Sequence, residues 1–253
     1  MKAIIIGAGR GRRLMPLTEE LPKCFAPVAG KRILDWILEA LAGGGFAPRD
    51  VAFVGGYQLA AIQAAYPDFT YFHNTEWDRN NILASLFYAE AAMEEGFVCT
   101  YADILYRPQA VARLMRSPAD ITLVVDTDFR RRYRRRSQHP ETDAEKVRAA
   151  SDRITEVSRL IPAEQAAGEY IGVARFTPRG AALLRAHYRR VVAEYGHDGR
   201  PFQGAPSLRM AYLIHLFQDM LEHGVEMHKV DTHGDYHEID TTEDYEIALE
   251  EWH

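Results

Sequence analysis

The first side chains able to do chemistry follow the first apolar run. Residues 3–6 give way to Gly7-Ala8-Gly9-Arg10-Gly11-Arg12-Arg13, and Lys23 lies a little further on. Small residues at the end of a strand let backbone N–H groups come close to phosphate oxygens. A glycine-rich junction is a poor place to gather Arg12, Arg13 and Lys23 without an anion; the other reading is solvated loop charge. Two familiar phosphate loops do not fit. A dinucleotide fingerprint needs glycine at position 12, which is Arg12, and an acid near the end of the second strand, which ends Val54-Gly55-Gly56. A Walker A loop needs Gly-Lys-Ser/Thr after its spacer, and none is present. The two cysteines, Cys24 and Cys99, make neither a disulfide framework nor a four-ligand zinc site. The histidines show no metal spacing: His223 and His228 do not share a helical face, and His233 and His237 bracket a turn.

These residues need a frame. Apolar runs at 3–6, 51–54, 70–72, 97–100 and 121–125 read as strands, and 33–41, 58–66, 81–93 and 109–115 as helices. That alternation predicts a Rossmann-like α/β fold, a mostly parallel mixed sheet flanked by helices. Ligands on such sheets bind beyond the carboxyl ends of the strands, so the loops after Ile6, Val54, Phe72 and Thr100 matter most. The second half is less regular. Residues 127–152 are polar, 153–161 and 170–176 read as antiparallel strands, and 179–194 and 207–223 as helices. A strand at 225–230 and a helix at 242–251, with Thr241 or Thr242 near its N-cap, close the chain. No repeat or linker divides it. The reading is a single domain, 1–253, with halves 1–126 and 127–253, the second forming a smaller C-terminal lobe.

Composition bounds the function. The chain has 253 residues, 47% of them hydrophobic and 26% charged, which excludes collagen-like and disordered classes. A net charge of −6 argues against a nucleic-acid partner, although a local basic site is compatible with it. No apolar run reaches the roughly 18–20 residues that span a bilayer, and the opening run is too short for a signal-peptide core. The expectation is a cytoplasmic enzyme without membrane insertion, with homo-oligomerisation left open.

The stretch GAGRGRRLMPLTEELPK, residues 7–23, resembles the signature of nucleotidyltransferases that join an NTP to a small phosphorylated compound. The matching positions are Gly7, Ala8, Gly9, Gly11, Arg13, Leu14, Pro16, Leu17, Thr18, Pro22 and Lys23. The family usually has Ala where Gly7 stands. In such enzymes a phosphate oxygen attacks the α-phosphorus of the NTP and pyrophosphate leaves. The nucleophile is already ionised, so charge repulsion and positioning are the main obstacles. The resemblance implies that Arg13 holds the triphosphate, that Lys23 bridges phosphates at the reaction centre, and that the glycine loop cradles the nucleotide. It also implies two Mg²⁺ ligands. Asp103 follows the strand 97–100 where the family has Gly-Asp, with Ala102 in place of the glycine. Asp240, in His237-Glu238-Ile239-Asp240-Thr241, matches the C-terminal motif. The plainer readings are a turn cap for Asp103 and a helix-start residue for Asp240.

Residues 74–86 and the ending YHEIDTTEDYEIALEE resemble bacterial phosphocholine and phosphonate cytidylyltransferases. The resemblance implies CTP as donor and a small acceptor, phosphocholine or 2-aminoethylphosphonate in type, with 1–126 holding the nucleotide and 127–253 the acceptor. Gly56, Tyr57, Asn80 and Asn81 would border the base, helix capping being the alternative for the asparagines. Arg159 stands where relatives place a phosphate-binding Lys. Glu169 would pair with an ammonium head, and Lys146 would add a cation. Trp77, Tyr101, Tyr133 and Tyr170 are candidates for an aromatic cage. The run 130–136, six arginines around Tyr133, reads as a solvated face or as a lid over an anion. His215 stands where relatives often carry Asp, and reads as a half-buried helix residue. Two other functions fit the sequence: a sugar- or inositol-1-phosphate nucleotidyltransferase using another NTP, and an inactive nucleotide-binding regulatory domain.

Overall fold

The structure, a computed structural model, describes residues 1–196 and 199–253. The apolar run after Lys2 becomes β1 (Lys2–Gly7), whose residues Ala3 to Ile6 are buried. Burial on both faces explains why the run does not alternate with polar residues. Parallel neighbours flank it, with β4 (Val51–Gly55) on one side and β6 (Phe97–Tyr101) on the other. Beyond β4 lies β5 (Thr70–His73), also parallel. The sheet then changes direction. β11 (Gly168–Phe176) runs antiparallel between β6 and β8 (Ile121–Asp126), and β12 (His228–Thr232) is parallel to β8. A hairpin of β9 (Lys146–Ala150) and β10 (Arg153–Val157) completes the nine-stranded order β5-β4-β1-β6-β11-β8-β12-β10-β9. β9 also pairs with the start of β11, so the last five strands close a ring. The result is a Rossmann-like α/β fold with a mixed central sheet flanked by helices.

Two small ladders lie outside that sheet. β2 (Pro27–Val28) pairs with β3 (Lys31–Arg32), and β7 (Ile104–Tyr106) pairs antiparallel with β13 (Tyr236–Glu238). The second ladder ties the end of the chain to its middle. The helices α1 (Ile33–Ala42), α2 (Leu59–Ala65), α4 (Pro108–Arg116), α6 (Pro178–Tyr195) and α8 (Thr242–Glu251) follow the expected pattern. Pro108 opens α4 at its first turn, where a missing N–H costs nothing. Thr241 is the N-cap of α8 and accepts from the Asp244 N–H. Among the described residues, no helix is long and apolar enough to cross a membrane.

Several boundaries differ from the sequence reading. The helix expected over 81–93 is α3 (Ile82–Phe87) followed by a 3-10 turn at Glu90–Ala92. The helix expected over 207–223 begins only at α7 (Leu213–Glu222). The carbonyls of Arg209 and Ala211 instead accept from the N–H groups of Asn81 and Leu83, which holds 209–211 against the start of α3. The strand expected over 225–230 lies at His228–Thr232, in register with β8. The polar stretch 127–152 contains β9 and the short helix α5 (Phe129–Tyr133).

Candidate active site

The glycine loop leaves the sheet at Gly7, beside Ala102 at the end of β6. The Ala102 N–H donates to the Ile6 carbonyl at 3.1 Å, which carries the β1–β6 pairing into the loop. Tyr57 N–H pins the Ala8 carbonyl at 2.9 Å. Gly11 is left-handed, with φ 68°, and the space of its missing side chain is filled by the Lys23 methylenes, 2.9–3.2 Å from an ideal Cβ. Arg12, Arg13 and Leu14 then form a 3-10 turn in which Leu14 is buried and both arginines are exposed. Thr18 Oγ1 donates to the Gly11 carbonyl at 2.8 Å and closes the loop on itself.

Lys23 sits at the first position of another 3-10 turn and is buried. Its Nζ donates to Asp103 Oδ2 at 2.8 Å and to Asp240 Oδ1. Arg13 reaches the other oxygen of Asp240 at 2.5 Å. Asp103 and Asp240 are far apart in sequence, and the β7–β13 ladder brings them together: Glu238 pairs with Ile104, and Ile239 N–H donates to the Asp103 carbonyl at 2.9 Å. Asp240 is fixed from behind, because its N–H and that of Thr241 both donate to Asp244 Oδ2, at 3.1 and 2.9 Å. Burial opposes charge on Lys23, but Asp103 and Asp240 more than offset it and hold the ammonium well above its ordinary range. Burial likewise opposes the Asp240 carboxylate, and Lys23 and Arg13 hold it well below the usual range. Lys23 and Asp240 therefore face each other as ammonium and carboxylate.

This cluster lies in a cleft of about 650 Å³ lined by residues of both halves. Gly7, Ala8, Gly9, Gly11, Arg13, Trp77, Asn80 and Asn81 are among them. The asparagines are also structural. Asn81 Oδ1 caps α3 by accepting from Ile82 N–H at 2.8 Å, and Asn80 exchanges amide hydrogen bonds with buried Asn74. Gly56 and Tyr57 differ from expectation: neither lines the cleft. They brace Trp77, which fills the place of a Gly56 Cβ at 2.5 Å and meets the Tyr57 ring edge-on at 5.6 Å.

The same cleft is lined by Tyr101, Glu145, Arg159, Glu169, Tyr170 and Tyr212. The Arg159 guanidinium lies over the Tyr212 ring at 4.0 Å and reaches Glu145 at 3.4 Å. Burial pushes the Glu145 carboxyl up to about 7, and Arg159 only partly offsets that. Glu145 is the residue that sequence reasoning missed. Its neighbour Lys146 does not line the cleft, and its ammonium instead faces the carbonyls of Glu141 and Ala144 at 3.3 Å. Successive residues of extended chain point opposite ways, which separates Glu145 from Lys146. Glu169 borders the cleft with its charge already met, by Arg132 and by Tyr133 O–H at 2.7 Å. Tyr133 is outside the lining, whereas Trp77, Tyr101 and Tyr170 are inside it.

The arginine run is neither a uniformly solvated face nor a lid. Arg132 and Arg136, one helical turn apart, are buried. Arg132 pairs with Asp126 at 2.7 Å and with Glu169, and Arg136 with Asp244 at 2.8 Å. Arg130 and Arg131 are exposed. His215 Nδ1 accepts from Tyr212 N–H at 2.8 Å and so caps α7, the job an Asp would do at that position. Burial lowers its pKa to about 4, so the ring is neutral.

Two sets of ligand atoms in the cleft could hold a cation. Asp103 and Asp240 converge on one point, and His139, Glu238 and Asp240 each bring a ligand atom within 4.8 Å of the others. His139 is already engaged by Asp244 at 3.3 Å. The first set offers only hard oxygen donors.

Comparison with known proteins agrees with this geometry. A family model described as the MobA-like NTP transferase domain matches residues 3–199. The CTP:phosphoglutamine cytidylyltransferase of Campylobacter jejuni is 28% identical, over 99% of this chain and 100% of its own. The 2-aminoethylphosphonate cytidylyltransferase of Lancefieldella rimae is 32% identical over 38% of this chain and 41% of its own. The structure of CTP:phosphocholine cytidylyltransferase from Streptococcus pneumoniae superposes with a TM-score of 0.70 at 19% identity, over 98% of this chain and 97% of that one, a likeness of fold.

Proposed function

The chain belongs to the family of MobA-like NTP transferase domains, and from its cleft we propose that it transfers CMP from CTP to a small phosphorylated or phosphonate acceptor, releasing pyrophosphate. The observation that carries this reading is the meeting of Lys23, Asp103 and Asp240 at the mouth of the glycine loop. Full-length similarity to a cytidylyltransferase supports CTP as the donor.

The acceptor oxygen is ionised at neutral pH, so the protein needs no general base. It must hold two anions together. Backbone N–H groups of the glycine loop would bind the triphosphate, joined by Arg13, whose exposed side chain is free to leave Asp240. Lys23 would offer its N–H donors to oxygens shared between the two substrates. Asp103 and Asp240 fit a hard divalent cation, because their oxygens already converge on a positive charge. Mg²⁺ held there would neutralise the triphosphate and polarise the α-phosphorus. In the same cleft, Arg159 would meet the acceptor's anionic group, and Glu145 with Tyr101, Tyr170 and Tyr212 a cationic head.

The test is product analysis with α-labelled CTP. Label should enter a CMP–acceptor adduct in step with pyrophosphate. Lys23→Ala should lower that rate by about 10²–10³-fold with an unchanged circular dichroism spectrum. Label appearing only as free CMP, or a Lys23→Ala variant of near-normal rate, would remove the proposal.

A further inference from the structure

Away from the cleft, α6 and α7 pack together and bring three metal-ligating side chains to one place. His187 comes from α6, and Asp219 and His223 from one face of α7 and its C-cap. One ligand atom from each lies within 4.8 Å of the other two. His187 Nδ1 is 3.6 Å from Asp219 Oδ2. The imidazole rings meet edge-on with centroids 5.7 Å apart.

Three features distinguish this cluster from chance surface neighbours. Asp219 is buried, so its carboxylate is costly to hold without a cation. His187 Nδ1 is buried and has no hydrogen-bond partner, although it points at that carboxylate. His223 Nδ1–H donates to the Asp219 carbonyl at 2.7 Å, which fixes the tautomer and leaves Nε2 basic. Metal-binding histidines are commonly oriented by such a backbone bond.

A competitor is present. Arg190, one turn beyond His187 on α6, pairs with Asp219. It has a second partner at hand, Glu194 at 3.0 Å. An incoming cation can therefore take Asp219 while Arg190 moves to Glu194.

We propose that His187, Asp219 and His223 bind a borderline transition-metal cation of the Zn²⁺ class, with water completing the shell, and that this ion clamps α6 to α7. Two imidazoles and one carboxylate suit such an ion far better than Mg²⁺. The site is separate from the Asp103–Asp240 pair and does not depend on the activity proposed above.

The experiment is a Co²⁺ titration of untagged, chelator-stripped, full-length protein, followed by its visible absorption bands and displaced by Zn²⁺. One equivalent should bind and raise the melting temperature. His187→Ala and His223→Gln should each weaken binding by at least about tenfold, and the second keeps a side chain able to cap α7. Arg190→Ala should tighten binding, and Asp103→Asn and His139→Ala should leave it unchanged. Absence of Co²⁺ uptake would overturn the proposal. So would uptake that survives both histidine variants or is lost in His139→Ala, which would place the ion at His139, Glu238 and Asp240.

Discussion

A Cβ built on Gly7 falls 2.6 Å from the Cβ of Ala102, and 2.8 Å from the tip of the Phe53 ring. At both of these positions the chain departs from the nucleotidyltransferase pattern, as it also does at Arg159 and His215, with Gly for Ala at the first and Ala for Gly at the second. The structure joins the two departures: one methyl group fits between β1 and β6 at the mouth of the loop, and it can come from either strand.

The pair should therefore behave as a unit. Gly7→Ala alone overpacks the junction and should cost about 1–3 kcal/mol in urea unfolding. Adding Ala102→Gly should recover part of the loss, with a coupling of about 1 kcal/mol. Additive effects would mean that the two sites do not share the space.

Glu145 gives a pH dependence of defined sign. Its folded-state pKa is raised from 4.5 to about 7, chiefly by burial. Between those values the unfolded chain has released the proton and the folded chain retains it. Stability is therefore fully present below pH 4.5 and falls as pH rises through about 7, by up to about 1.4 kcal/mol per pH unit. Glu145→Gln should abolish that fall in unfolding curves measured across the window. With a cationic acceptor, the acceptor KM should also drop as pH rises through about 7, while the CTP KM stays level. A flat acceptor profile would remove Glu145 from the acceptor site.

The arginine run separates by burial. Arg132→Ala leaves Asp126 and Glu169 without their cation inside the protein, and should destabilise by about 3–5 kcal/mol. Arg131, 79% exposed, should change stability by less than about 0.5 kcal/mol on replacement by Ala. Equal losses in thermal melts would contradict the burial pattern.

These contrasts mark what the sequence could and could not convey. The five strands that the first half gives to the main sheet, and the glycine loop, were legible, because apolar runs and small residues are local signals. The convergence of Lys23, Asp103 and Asp240 came from resemblance, since nothing local shows that β7 pairs with β13. Strand alternation separates Glu145 from Lys146, but β9 begins only at Lys146, so the period was too short to read. The helix expected over 207–223 was shortened by hydrogen bonds to the start of α3, a tertiary effect without a local signature. In the run 130–136 like charges conceal a helical turn, and only the acids opposite show which arginines face inward.

The metal assignment has its own test. Asp103→Asn keeps the shape of the side chain and removes one charge from the pair around Lys23. Half-saturating Mg²⁺ for pyrophosphate release should rise at least about tenfold. An unchanged Mg²⁺ titration would place the ion elsewhere.

The central claim is tested most directly by pyrophosphate release, crossing CTP, UTP, GTP, ATP and dTTP with phosphoglutamine, 2-aminoethylphosphonate, phosphocholine, glucose-1-phosphate and inositol-1-phosphate. The account predicts turnover with CTP and one of the first three acceptors, and a rate at least about tenfold lower for every other nucleotide. Turnover confined to a sugar or inositol phosphate, or to a nucleotide other than CTP, would contradict it.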